Sequence, residues 1–228
     1  MERTAPHVCV VNLGCRVNRV ESDWMESSFV QSGAVLCAED EADIIAINTC
    51  AVTGEAQAKT RKAVRRAASL PKHPLVAVTG CVANLFPAEL EAIGDNVRVL
   101  PAKLVLVEDS LKAWEELNGG LTGEGEEASV SGALYVYNHE NQDALVENVS
   151  SGAVPQPRSG EDCLSTEDTF STSGSHAVFR ARRGVKVQDG CDNKCTYCIV
   201  WRARGKSLST PYSLIEKQVR QVLSEGAL

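Results

Sequence analysis

No apolar run in this 228-residue sequence approaches the ~20 residues that a helix needs to cross a bilayer. Residues 1–15 also lack the basic, apolar and small-residue order of a secretory signal. With an odd number of cysteines, nine, these absences argue against a secreted disulfide scaffold. They favour metal ligation in a reducing compartment, so the expectation is a cytoplasmic protein without membrane contact. Histidine is scarce: there are four, and His139 and His176 have no metal-ligand partners at useful spacing. Basic residues are nearly missing from residues 119–175, which hold ten acids and one base, Arg158. The remainder carries 22 bases against 20 acids, and residues 176–228 carry ten against four. The net charge of −7 therefore comes from one segment and leaves a basic region able to meet phosphate.

What is present is dominated by Cys191-Asp192-Asn193-Lys194-Cys195-Thr196-Tyr197-Cys198, after which no cysteine or histidine follows. Structural zinc sites close with four protein ligands, so three thiols on one tight loop suit a metal that keeps a position open. A [4Fe–4S] cluster meets that description, with three irons held by Cys191, Cys195 and Cys198 and the fourth free for a substrate or cofactor. The competing reading is a zinc knuckle or a redox-active thiol cluster.

The first 118 residues read as alternating strands and helices. An apolar run at residues 8–13 ends in Gly14-Cys15, and Val17, Val20 and Trp24 then recur at helical spacing. Strands are predicted at residues 34–38, 43–48, 75–79 and 97–100, with helices at 54–69, 87–93 and 103–117. In the helix at 54–69, Ala56, Ala63, Val64 and Ala67 are predicted inward and Lys59, Arg61, Lys62, Arg65 and Arg66 mostly outward. This order implies an α/β domain, an open parallel sheet flanked by helices with right-handed crossovers. Cys15, Cys50 and Cys81 each follow the carboxyl end of a strand, so the topology predicts their convergence on the sheet edge where such folds bind ligands. The alternative is that small thiols fill strand ends, the reading that also covers Cys9 and Cys37 in apolar strands. Cys163 falls in a polar stretch.

Residues 119–175 are rich in Gly, Ser, Thr and acids, and cannot bury enough apolar surface to offset their ordering entropy; a mobile insertion is expected. Residues 178–187 read as the first strand of a new domain at 176–228. Residues 211–224 read as an amphipathic helix with Leu214, Ile215, Gln218, Val219 and Val222 on its inner face. A single strand and helix cannot satisfy a sheet edge or cover an apolar face, so this domain is expected to be incomplete.

The loop Cys191-x-x-x-Cys195-x-Tyr197-Cys198 resembles the signature of the radical S-adenosylmethionine enzymes. Its flanks, Val185 to Gly190 and Ala203 to Ser207, are similar to the methylthiotransferase family. So are Asn12-Leu13-Gly14-Cys15-Arg16-Val17-Asn18, Asn48-Thr49-Cys50-Ala51-Val52-Thr53 and Thr79-Gly80-Cys81-Val82-Ala83. The resemblance implies two [4Fe–4S] clusters, an auxiliary one on Cys15, Cys50 and Cys81 and a second on Cys191, Cys195 and Cys198. It further implies S-adenosylmethionine as methyl donor and as source of a 5′-deoxyadenosyl radical, with Tyr197 beside the cofactor adenine or filling its own loop. By the same resemblance, residues 176–228 begin a partial (β/α) barrel that the chain leaves truncated. Gly14 to Asn18 with Glu21-Ser22 resembles the branch that adds a methylthio group to C2 of N6-threonylcarbamoyladenosine at tRNA position 37. Isopentenyladenosine and ribosomal-protein branches are the alternatives, as is a non-catalytic iron–sulfur or zinc-binding fragment. The implied partners are the tRNA anticodon loop at adenosine 37 and an electron donor such as a flavodoxin or ferredoxin. Arg180, Arg182, Arg183, Lys186, Arg202, Arg204 and Lys206 are read either as phosphate contacts or as a solvated face. Trp201 and Leu208 depart from the family pattern.

Overall fold

The computed structural model describes residues 5–100, 106–117 and 184–224. The segment 119–175, the boundary expected at 118, Cys163, Arg180, Arg182 and Arg183 lie outside the described residues. Five strands, β1 (His7–Asn12), β2 (Val35–Leu36), β3 (Ile44–Thr49), β4 (Leu75–Gly80) and β5 (Val97–Val99), form a parallel sheet in the order β2-β1-β3-β4-β5. Every residue of β3 and β4 is buried, as their unbroken apolar runs require in a sheet covered on both faces.

Alternate residues of those strands feed two cores. Ile45, Ile47, Val76 and Val78 face one side, with Val64 and Ala67 of α2 (Gly54–Ala68), residues 81–83 of α3 (Cys81–Leu85) and Leu90 of α4 (Pro87–Glu91). Ile44, Ala46, Leu75 and Ala77 face the other, against Met25 and Phe29 of α1 (Arg16–Gln31) and Leu106 and Val107 of α5 (Leu106–Leu117). Helix α2 starts where the Thr53 hydroxyl accepts from the Ala56 amide at 3.1 Å, with Glu55 in its first turn and Arg65 and Arg66 in its last, a charge order that suits its dipole.

Three sequence expectations need correction. The inward face of α1 is Asn18, Glu21, Ser22, Met25, Ser28 and Phe29, while Val17 is exposed. The valine periodicity is thus rotated off the buried face, because polar side chains with partners occupy it. Helix α3 begins directly at Cys81, before the helix expected at 87–93. Residues 184–187 are not strand: the strand is a two-residue β6 (Gln188–Asp189), antiparallel to β7 (Leu208–Ser209). Between these strands lies α6 (Val200–Arg204), which contains Trp201, and α7 (Tyr212–Ser224) follows. On α7, Leu214, Ile215, Gln218 and Val222 are half-buried, and Val219 is exposed.

Asp43 pins the start of β3. Its carboxylate accepts from the His7 amide at 2.8 Å and pairs with Lys72 at 2.7 Å. Burial alone pushes this carboxyl up, but the Lys72 hydrogen bond and charge and the His7 amide outweigh it, so its pKa lies below the ordinary 3.8. A depressed folded-state value contributes stability that is fully present above 3.8 and is lost as pH falls through the folded value. Asp43→Asn is expected to cost about 1–3 kcal/mol at neutral pH. In urea titrations run at successive pH values, the gap from wild type should close on the acid side of the ordinary aspartate range.

Candidate metal centre

Strand order 2-1-3-4-5 reverses direction between β1 and β3, and ligands of open parallel sheets bind beyond the strand carboxyl ends at such a switch point. Cys50 follows β3 directly, Cys81 follows β4 directly, and Cys15 lies three residues after β1. All three line one cavity of about 170 Å³, together with Val17, Asn18 and Val52. Its remaining wall comes from the far end of the chain: Gln188, Asp189, Gly190, Ile199, Val200 and Arg204. The structure thus brings together the three cysteines separated by 35 and 31 positions, and it sets the segment bearing Cys191, Cys195 and Cys198 against them.

Buried hydrogen bonds fix this rim. Asn18 donates to the Asn48 side-chain oxygen at 3.1 Å and to the Thr49 carbonyl at 2.8 Å. Asn48 returns two bonds, to the Asn18 carbonyl at 2.9 Å and the Ser22 hydroxyl at 3.2 Å. Thr49 projects to the opposite face, where its hydroxyl donates to the Thr79 carbonyl at 2.7 Å and accepts from the Val82 and Ala83 amides at 3.1 and 3.3 Å. The first turn of α3, and Cys81 with it, is therefore held from β3. Gly80 completes the turn at φ +96.

The thiols differ in exposure. Cys15 is exposed, and its Sγ donates to Asn18 Oδ1 at 3.3 Å. Cys50 and Cys81 are buried, whereas Cys191, Cys195 and Cys198 are half-buried, and all of them are free. Cys9 and Cys37 sit in the core, and burial pushes the Cys9 thiol up to about 12, which suits packing rather than ligation. Tyr197 is 90% exposed, so it does not fill its own loop.

The basic residues divide. Arg202 and Lys206 are exposed. Lys186 and Arg204 are not free for phosphate, because they belong to a partly buried ion network. Glu21, with its side chain 3% exposed, accepts from Lys186 Nζ at 2.7 Å and from Arg204 Nη1 and Nη2 at 2.8 and 3.2 Å. Asp189 accepts from the same two cations at 2.7 Å. Burial works against the Arg204 charge, but Glu21 and then Asp189 more than offset it and raise its pKa. For Asp189 burial is likewise the largest influence, and Lys186 and Arg204 reverse it and hold the carboxyl below its ordinary range. Sequence reasoning missed this network, since its partners lie 165 and 183 positions apart. Glu21 and Ser22, part of the stretch that resembles the threonylcarbamoyladenosine branch, are both buried and bonded within the protein.

The donor set fits an iron–sulfur cube. Apart from Asp189, which is already paired, the ionisable ligands on this rim are thiols. Among the described residues, no group of three or more His, Cys, Asp or Glu side chains is arranged to hold a metal ion. A cube spreads its three thiolates over three irons, whereas one zinc draws its ligands onto a single centre. Among the described residues, too, no helix is long and apolar enough to cross a membrane.

The model of the uncharacterized protein family UPF0004 matches residues 7–101, the span of the sheet and its strand-end cysteines. The threonylcarbamoyladenosine tRNA methylthiotransferase MtaB of Treponema pallidum is 29% identical over 96% of this chain and 51% of its own length. The protein of that name from Aquifex aeolicus is 30% identical over 96% of this chain and 45% of its own. The ribosomal protein uS12 methylthiotransferase RimO of Desulforudis audaxviator is 27% identical over 98% and 42%. The chain spans about half the length of the relatives it matches. Those matches run through the sheet and the cysteine loop alike, and their shared name covers both the tRNA and the ribosomal-protein kinds: the chain is similar to the methylthiotransferases over nearly its whole length.

Proposed function

We propose that this chain carries the cysteine machinery of a cytoplasmic tRNA methylthiotransferase acting at C2 of N6-threonylcarbamoyladenosine 37. Cys15, Cys50 and Cys81 would hold one [4Fe–4S] cluster, and Cys191, Cys195 and Cys198 a second. When bound, the two clusters supply reductive cleavage of S-adenosylmethionine and a site for the sulfur to be inserted. The observation that carries this reading is a single cavity walled by three strand-end cysteines on one side and by the cysteine-loop segment on the other. The names of the MtaB relatives support the tRNA substrate.

The protein's own residues orient and enclose. Asn18, Asn48 and Thr49 hold the three strand ends in register. Val17, Val52, Ile199 and Val200 supply the cavity's apolar lining. Gly190, at φ +68, turns the chain into the cysteine loop where any side chain would overlap the Lys206 carbonyl. Tyr197, at 90% exposure, presents a ring on which an adenine can stack, and an electron donor such as a flavodoxin or ferredoxin completes the partners.

Anaerobic reconstitution followed by iron and sulfide analysis tests this. About eight irons per chain are expected, falling to about four in Cys50→Ser or in Cys195→Ser. Zinc at unit stoichiometry, or an iron content that Cys50→Ser leaves unchanged, would overturn the assignment.

A further inference from the structure

We propose that Glu21 is a positioning residue, a clasp that docks the cysteine-loop segment onto the strand-end rim through Arg204 and Lys186. Described residues 184–224 have a small apolar footprint on the N-terminal sheet. Ala203 is buried at 2% exposure and Ile199 partly so, and Asn84 donates to the Ala203 carbonyl at 2.7 Å. Nonpolar burial of that size holds a segment near a surface without choosing one orientation.

The four charges do choose one. Glu21 comes from α1, whereas Lys186, Asp189 and Arg204 all come from the docking segment, so Glu21 is the network's anchor on the sheet domain. Among the described residues the network pairs two cations with two carboxylates, and at the contact between Glu21, 3% exposed, and Arg204, 9% exposed, solvent does not substitute for a lost partner. Charges so dehydrated are tolerated only with close pairing, and removal of one partner strands the others. The Arg204 fork also reaches Asn18 Oδ1 at 2.9 Å, the atom that accepts from Cys15 Sγ. One guanidinium therefore ties the docking segment to the first cysteine of the rim. The bearing of this clasp on catalysis rests on the methylthiotransferase reading; the clasp itself does not.

Hydrogen exchange on the full chain, purified anaerobically with iron counted on the same sample, tests it. In Glu21→Gln, the Cys191 amide, bonded to the Gly205 carbonyl, and the Thr210 amide, bonded to the Val187 carbonyl, should exchange at least about tenfold faster. Amides of β3 and β4 should exchange as in wild type. Arg204→Gln should reproduce this pattern, and combining the two changes should add little, because the same contact is already gone. Unchanged protection at Cys191 and Thr210 would overturn the proposal. So would acceleration spread equally into β3 and β4, which would make Glu21 a support for α1, or full additivity of the pair. A wild-type sample without iron would remove the two-cluster reading and leave the exchange comparison decisive for the clasp.

Discussion

Alanine at Gly80 is expected to destabilise the sheet domain by roughly 2–6 kcal/mol, the sum of backbone strain and overpacking. Gly80 ends β4 at φ +96, a conformation that L side chains resist, and a methyl group there would overlap the Thr49 carbonyl oxygen and lie 2.7 Å from the Thr49 nitrogen. Both obstacles are backbone of the fully buried strand β3, which cannot yield as a flexible side chain would. The change would also part Cys81 from Cys50, since the Thr49 hydroxyl that holds the first turn of α3 belongs to the residue displaced. Gly33 is the control. It has φ +86 but nothing within 4 Å of a Cβ, so Gly33→Ala bears the conformational cost alone, about 1–2 kcal/mol. Urea midpoints of the two variants should therefore separate clearly; equal losses would mean that the close approach at Gly80 contributes nothing.

The contrast between these glycines bears on what could be read in advance. Strands β1, β3 and β4 were legible because continuous apolar runs ended in turn residues, and the convergence of Cys15, Cys50 and Cys81 followed from parallel topology without any side-chain detail. The buried face of α1 was not legible, because hydrophobic periodicity registers valines and is blind to asparagine, glutamate and serine that are buried with partners. Helix α3 was missed because it starts directly on Cys81 with no capping side chain to mark its beginning, whereas the equally short α4 opens on Pro87. Arg204 was counted among cations facing solvent or phosphate. Its pairing with Glu21 depends on how two distant segments dock, and one-dimensional charge patterning holds no trace of that.

The same buried polar residues give the second large effect. Asn48 is fully buried in β3 and joins three hydrogen bonds that tie it to Asn18 and Ser22 of α1. Asn48→Leu keeps the branching and number of side-chain heavy atoms but orphans one Asn18 Nδ2 contact, the Asn18 carbonyl's side-chain donor and the Ser22 hydroxyl's donor. With each buried unpaired group costing about 1–3 kcal/mol, a loss on the order of 3–5 kcal/mol is expected. One strand away, Thr79 is equally buried, yet its Oγ1 has no hydrogen-bond partner among the described residues. Thr79→Val removes a group that is already unpaired, so it should be neutral or stabilising. Equilibrium unfolding of the two variants thus separates polarity that builds the cysteine rim from polarity that merely sits beside it. A mild Asn48→Leu phenotype would mean that apolar packing alone holds Cys15 against Cys50.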